Sequence, residues 1–153
     1  MFAVLALCLS AVLVDFQPTT AYAATTISND TTWGEGTTLY GNYVINKGVT
    51  VTITGRVTVT EGASVTISGG GTIKRGTESA YLNLPGKSSN TRTPSVLTVT
   101  NITLDGYKIK AQHSMIYNGN SGSELNISNC VIKDCVTTRS DEGGAIKMFG
   151  STL

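Results

Sequence analysis

Alternating apolar and polar residues run along the chain from about residue 49 onward. In residues 49–54, 57–60, 65–68 and 97–100, each valine, isoleucine or leucine is followed by a threonine or a serine. A period of two over a short run is typical of a strand with one buried face, and β-branched residues suit such a surface. Glycine or asparagine follows most of these runs. The pattern therefore predicts an all-β protein made of short strands.

The strand pattern itself repeats along the chain. The segment Leu-Thr-Val-Thr-Asn-Ile-Thr-Leu at residues 97–104 reappears as Leu-Asn-Ile-Ser-Asn-Cys-Val-Ile at residues 125–132, starting 28 positions later. Residues 145–148 echo residues 115–118 at a similar distance. A fixed period of this size marks an architecture of stacked repeats. With three strands in each repeat, every strand pairing with its counterpart one turn away, the sequence predicts a parallel β-helix, a solenoid.

The repeat units align into successive turns. The predicted turns are 57–60, 64–68 and 72–74; then 81–84, 96–100 and 102–104; then 114–117, 124–128 and 130–132, with 145–148 opening another. Alternation assigns one set of side chains to the interior: Val51, Ile53, Val57, Val59, Val65, Ile67, Leu97, Val99, Ile102, Leu104, Leu125, Ile127, Cys130 and Ile132. These residues should form columns that run through the stack.

Glycine or asparagine occupies the predicted corner between the second and third strands of a turn. Gly69, Asn101 and Asn129 hold this place in successive turns. These residue types tolerate the left-handed backbone conformation that a sharp bend requires, and Asn101 and Asn129 could also stack as an amide ladder. The alternative for Asn101 is N-glycosylation, since the triplet Asn101-Ile-Thr matches the acceptor pattern, as does the triplet Asn126-Ile-Ser within a strand.

Residues 1–23 are typical of a secretory signal peptide. An apolar run at 2–14 precedes the small-x-small sequence Ala21-Tyr-Ala23, after which we place the cleavage. The positive segment that usually comes first is missing, so either Met1 is an internal start within a longer signal or the signal is unusual. We expect a signal helix that is removed, leaving a secreted or cell-surface protein whose mature chain has no membrane span.

The remainder divides into a cap and a stack. Residues 24–48 are the predicted N-terminal cap region, and residues 49–153 are predicted turns of the β-helix. The pattern of residues 47–55 recurs at 61–69, only 14 positions later, which predicts a shorter turn with fewer strands near the start. The last turn begins at 145 and stops at Leu153, so we expect a C-terminally incomplete solenoid that associates through its last rung.

Composition excludes several classes of partner. Charged residues make up 14% of the chain and the net charge is +1, so nothing in the composition favours binding to nucleic acid.

Cys130 and Cys135 lie five positions apart, about 16 Å in an extended strand, whereas a disulfide needs Cα atoms within about 7 Å. We therefore expect free, mostly buried thiols. His113 is the sole histidine and no Cys-x-x-Cys motif exists, so we expect no metal site and no cofactor.

No catalytic constellation emerges from the sequence. Asp105 aligns with Lys133 one repeat on, not with a second acid as a glycosidase pair would require. Asp141 and Glu142 are neighbours in a loop, where adjacent carboxylates are normally just solvated. His113 stands alone on a loop, where a histidine is usually solvent-exposed. We therefore assign no catalytic residue to this chain.

A candidate for glycan contact follows the third strands of two consecutive turns. Four cations and a tyrosine gather there: Lys74, Arg75, Tyr107, Lys108 and Lys110. With turns stacked about 4.8 Å apart, these side chains would form a shallow basic and aromatic strip able to hold an acidic polysaccharide. The alternative is a set of ordinary solvated charges.

The repeat units also resemble a known superfamily. Residues 66–74, 97–106 and 129–135 look like rungs of the pectin-lyase-like superfamily of right-handed parallel β-helices. Residues 141–146 contain Gly-Gly-Ala-Ile and are similar to the repeat of polymorphic outer-membrane proteins and related bacterial surface adhesins. The resemblance implies right-handed coiling and a bacterial cell-surface or secreted protein. Its implication for activity is divided, because the superfamily contains pectate lyases, glycan hydrolases and non-enzymatic adhesins.

Two functions follow as hypotheses. The first is a non-catalytic stalk or adhesin-type module that binds an extracellular polysaccharide or a host surface. The second is the N-terminal part of a polysaccharide lyase or glycoside hydrolase whose catalytic rungs lie beyond residue 153. We favour the first, because the residues present supply no catalytic pair.

Overall fold

The computed structural model describes residues 23–87 and 93–150, and within these ranges the chain forms short strands and no helix. The strands are β1 (Thr25–Ile27), β2 (Thr31–Trp33), β3 (Thr38–Leu39), β4 (Gly41–Ile45), β5 (Thr50–Ile53), β6 (Arg56–Val59), β7 (Ser64–Ser68), β8 (Thr72–Arg75), β9 (Tyr81–Asn83), β10 (Ser95–Thr100), β11 (Thr103–Asp105), β12 (Lys110–Ala111), β13 (Ile116–Tyr117), β14 (Ser123–Ser128), β15 (Val131–Lys133), β16 (Val136–Thr137) and β17 (Ile146–Lys147). Nearly all of the predicted signal peptide, and Leu153, lie outside the described residues.

The strands form three five-stranded parallel sheets. Sheet A has the order β1-β4-β7-β10-β14, sheet B has β2-β5-β8-β11-β15 and sheet C has β3-β6-β9-β13-β17, while β12 and β16 form a separate two-stranded pair. Consecutive strands pass from sheet A to B to C and back to A, so the chain completes five turns. Each strand pairs with its counterpart one turn away. This is an all-β fold of stacked parallel sheets, consistent with a parallel β-helix.

The register confirms the predicted strand equivalences. Val99 pairs with Ile127 and Leu104 with Ile132, each 28 positions further along the chain. Earlier turns differ in length, since Ile67 pairs with Val99, 32 positions later. The strands stay aligned because the extra residues are accommodated in the connections between them.

The side chains predicted to face inward lie in the core, which also contains apolar residues outside that set, such as Ile45, Ile73 and Leu82. Of the fourteen residues assigned to the interior, all but Ile127, Cys130 and Ile132 are buried, and these three are half-buried. They belong to the fifth turn, which has a neighbouring turn on one side only within the described residues. Thr98 and Thr100 alternate with the buried positions and are half-buried on the outer face.

The shorter turn expected from the 14-residue offset is wrong. Residues 47–55 contain β5 of sheet B, whereas residues 61–69 contain β7 of sheet A, so the two similar segments do not stack on each other. The second turn has the full set of three strands, β4 to β6. The similarity arises because a Gly-containing turn followed by an alternating strand can serve any of the three sheets.

The predicted cap region, residues 24–48, contains β1 to β4 and thus the first strand of each five-stranded sheet. Trp33 is buried there, and its ring meets that of Tyr43 edge-on at 5.6 Å between centroids. The region continues the three sheets of the stack with the same parallel pairing, because Thr25 pairs with Tyr43 and Thr31 with Val51.

The corner prediction holds for the backbone and fails for the side chains. Asn101 and Asn129 have φ of 55° and 51°, and Gly69 has φ of 125°. The N–H of Asn101 donates to the carbonyl of Ser128 on the next turn at 3.1 Å. Both asparagines are exposed, and within the described ranges neither carboxamide makes a hydrogen bond, so no amide ladder forms. These positions therefore require residue types that tolerate a left-handed backbone conformation.

Cys130 and Cys135 are free, as predicted, but each is half-buried where deeper burial was expected. The thiol of Cys130 contacts the carbonyl oxygen of Val99 at 3.4 Å, and that of Cys135 contacts the carbonyl oxygen of Lys133 at 3.2 Å.

The strand edges of the last described turn should promote self-association. Among the described residues, strands β14, β15 and β17 each pair on one side only, and an open cavity of about 560 Å³ there is lined partly by Ile127, Ile132 and Ile146. Unpaired strand edges next to exposed aliphatic groups promote association. We expect concentration-dependent self-association in sedimentation velocity, reduced by Ile127→Lys. The same change at Val131, which is exposed on the outer face, should have no effect. A monomer at every concentration contradicts this prediction.

Candidate functional site

A column of charged residues lies on the outer face of sheet B. Lys74 of β8 pairs with Asp105 of β11, which pairs with Lys133 of β15. Their neighbours Ile73 and Leu104 are buried. Because side chains alternate along a strand, the three charged groups all face outward, one on each of three consecutive turns. The register therefore places one lysine on each side of a carboxylate.

An exposed tyrosine adjoins this column. The Nζ of Lys74 lies 3.7 Å from the centroid of the Tyr107 ring, a cation–π contact, and Tyr107 is 59% exposed. Asp105 contacts both Tyr107 and Lys133. Its Oδ1 accepts the Tyr107 N–H at 2.8 Å, and its Oδ2 lies 3.1 Å from the Nζ of Lys133. We call Lys74, Asp105, Tyr107 and Lys133 the sheet B strip.

Arg75 does not belong to a surface strip, which corrects the prediction. It is 0% exposed. Its guanidinium donates to the carbonyl of Val136 at 3.1 Å and to that of His113 at 3.0 Å, while its Nε has no partner among the described residues. Arg75 follows Ile73 by two positions, so alternation turns both inward. Its hydrogen bonds connect strand β8 to the segments around β16 and β13.

The burial of this arginine affects its pKa and that of a nearby thiol. Burial lowers the pKa of Arg75. Burial likewise raises the pKa of Cys135, which Arg75 partly offsets. The Cys135 thiol is therefore held in its neutral form at neutral pH, the opposite of what a nucleophilic cysteine requires.

Lys108 and Lys110, the remaining predicted contacts, are both exposed. Tyr107 and Lys108 share left-handed backbones, with φ of 52° and 57°, which form the sharp exit from β11. Lys110 lies in β12 and pairs with Val136 of β16, so it belongs to the small two-stranded pair. The structure thus joins Lys74 to Tyr107, adds Asp105 and Lys133, and places Lys110 on a separate element.

A second group of side chains lies on sheet C, and sequence analysis missed it. His113 packs against two tyrosines, with its ring centroid 4.7 Å from that of Tyr81 and 4.5 Å from that of Tyr117, and the two tyrosine centroids are 5.8 Å apart, so the three rings form a triangle. The expectation of a solvent-exposed, isolated histidine is wrong, because only 22% of its side chain is exposed. We call Tyr81, His113 and Tyr117 the sheet C aromatic cluster.

A buried carboxylate supports this cluster from the next turn. The Glu142 side chain is 0% exposed, and its Oε1 lies 3.3 Å from His113 Nδ1 and 3.1 Å from Arg139 Nε. Its Oε2 accepts the backbone N–H of Ser114 at 3.0 Å. The Ser114 hydroxyl also donates to the carbonyl of Gly143. These bonds satisfy the buried charge and hold the histidine ring in place.

Asp141 and Glu142 are both engaged in ion pairs. Asp141 Oδ2 accepts a hydrogen bond from Lys147 Nζ at 3.0 Å, and that bond lowers the pKa of Asp141. A glycosidase acid must instead keep its proton near neutral pH, which requires a raised pKa. Asp141 is therefore suited to an ion pair and not to the role of general acid.

Comparisons with known proteins leave the family unassigned: no family model, curated protein or solved structure matches the chain. Within residues 23–87 and 93–150 no helix is long and apolar enough to cross a membrane. Over the same ranges no three His, Cys, Asp or Glu residues come together as a metal site.

Proposed function

We propose that this protein is a secreted or cell-surface β-helix module of bacterial type, serving without catalysis as a stalk or adhesin that binds an acidic extracellular polysaccharide. The single observation that carries the proposal is the sheet B strip. Its lysines lie two turns apart, roughly 10 Å at the usual strand spacing, and the exposed Tyr107, which belongs to the turn between them, has its ring centroid 3.7 Å from the Nζ of Lys74. An extended polymer running parallel to the stack could meet both cations and the ring.

The fold supports this use of the surface. Side faces of a solenoid are extended and repeat with each turn, which suits polymeric ligands. We propose right-handed coiling of the pectin-lyase-like kind, since parallel crossover connections are right-handed in almost all proteins. The N-terminal signal inferred from residues 1–23 supports secretion, and the ion-paired state of Asp141 supports a binding role over hydrolysis.

Binding of polygalacturonate, used as an acidic probe, tests the proposal. In affinity gel electrophoresis we expect retardation of the protein, weakened about fivefold by Lys74→Ala because one exposed charge contact is lost. Added salt should weaken binding of the wild type. Lys87→Ala, which removes an exposed lysine that lies outside the sheet B strip, should leave binding unchanged. Retardation unaffected by Lys74→Ala would exclude the sheet B strip as the site.

A further inference from the structure

The sheet C aromatic cluster crosses several turns of the stack. Arg56 of β6 pairs with Tyr81 of β9, and Tyr117 of β13 pairs with Lys147 of β17. Tyr81 and Tyr117 belong to adjacent turns, with the rings in edge contact. The line from Arg56 to Lys147 thus spans four consecutive turns, about 15 Å at the usual spacing. Its length suits a short oligosaccharide segment.

Polar side chains border the rings at both ends of this line. On the second turn the Arg56 Nε lies 3.6 Å from the Glu35 carboxylate, and both side chains are more than half exposed. On the fifth turn Lys147 is paired with Asp141, and its Nζ lies 5.8 Å from the Tyr117 ring centroid. Hydrogen-bond donors and acceptors therefore flank a half-buried aromatic centre on either side.

The charge of this region is balanced. Arg56, Arg139 and Lys147 carry three positive charges, and three carboxylates, Glu35, Asp141 and Glu142, oppose them. A polyanion gains no net attraction from such a surface. A neutral sugar meets no charge repulsion there, because its hydroxyl groups can hydrogen-bond to carboxylates and cations alike while its apolar C–H face packs on a ring.

We propose that the sheet C aromatic cluster, with its bordering ion pairs, is a binding site for a neutral oligosaccharide. The site lies on a different sheet from the sheet B strip and takes a ligand of different charge. It goes beyond the proposed function, and either site can exist without the other. The rings supply the packing surface, while Glu142 holds the His113 ring against the tyrosines.

The test is a binding measurement with neutral polysaccharides. Affinity gels containing β-glucan, mannan or galactan should retard the full chain in at least one case. Tyr81→Ala should weaken that binding about tenfold. Arg56→Ala provides a second variant at an exposed position that leaves the rings in place, and it should weaken binding severalfold. Tyr107→Ala, the same change on sheet B, should not affect it.

Two further readouts separate this site from the sheet B strip. Binding of polygalacturonate should survive Tyr81→Ala and fall with Lys74→Ala. Retention of no neutral polysaccharide overturns the proposal, and so does neutral binding that is lost equally in Tyr107→Ala. A cluster that binds only the acidic probe also overturns it, since balanced charge is what selects a neutral ligand.

Discussion

Leu97→Ala should lower the free energy of unfolding by about 2–5 kcal/mol. Leu97 is 0% exposed in β10, an interior strand of sheet A, where it lies between Val65 and Leu125 of the neighbouring turns. Removing its side chain opens a cavity that rigidly stacked turns cannot close, because each turn is held by backbone hydrogen bonds to the next. Urea unfolding followed by circular dichroism measures the change.

Two valines in the same strand provide a matched control. Val99 is 0% exposed, while Val96 is half-buried on the outer face. Val99→Ala should cost about 2 kcal/mol, and Val96→Ala should stay within about 1 kcal/mol. Equal effects at the two positions would mean that the inward and outward faces of β10 are wrongly assigned.

Periodicity predicted the stack because two signals were redundant. Alternation in 97–100 shows which face is buried, and the 28-residue repeat shows which strand lies on which. The shorter 14-residue repeat led to a wrong prediction for a physical reason. A turn followed by an alternating strand can occur in any of the three sheets, so the pattern does not show which sheet the strand joins. Only the longer repeat, which includes all three strands of a turn, specifies stacking.

The surface sites were predicted less well, since they depend on contacts between turns. The sequence assigns Arg75 to the surface because it comes at the end of the third strand of a turn, together with Lys74, yet its parity with Ile73 favours the interior. His113 and Glu142 are 29 positions apart, close to one repeat, and Ser114 and Glu142 are 28 apart. In a stacked fold, residues one period apart become neighbours, so the repeat length itself could have revealed this pair. The ring contacts of His113 depend on loop conformation, which periodicity does not report.

The corner after β7 should be the most sensitive backbone position tested. Gly69 has φ of 125°, a conformation that side chains rarely adopt. A Cβ there would collide with the carbonyl oxygen of Ile45 and lie 2.9 Å from its carbonyl carbon, both on the preceding turn. Because that carbonyl accepts the N–H of Gly71 at 3.1 Å, it cannot move without breaking a bond between turns.

Gly69→Ala should therefore lower the free energy of unfolding by about 3–5 kcal/mol, the sum of backbone strain and steric collision. Gly70→Ala separates the two, because Gly70 has φ of 116° but its nearest neighbour, the Cβ of Lys47, would lie 3.7 Å away. In that variant only the backbone strain should lower the free energy of unfolding, by about 1–2 kcal/mol. Urea unfolding of both proteins gives the difference, which measures how tightly one turn is packed on the next. Similar losses at the two glycines would show that the turns can separate locally at this corner without cost.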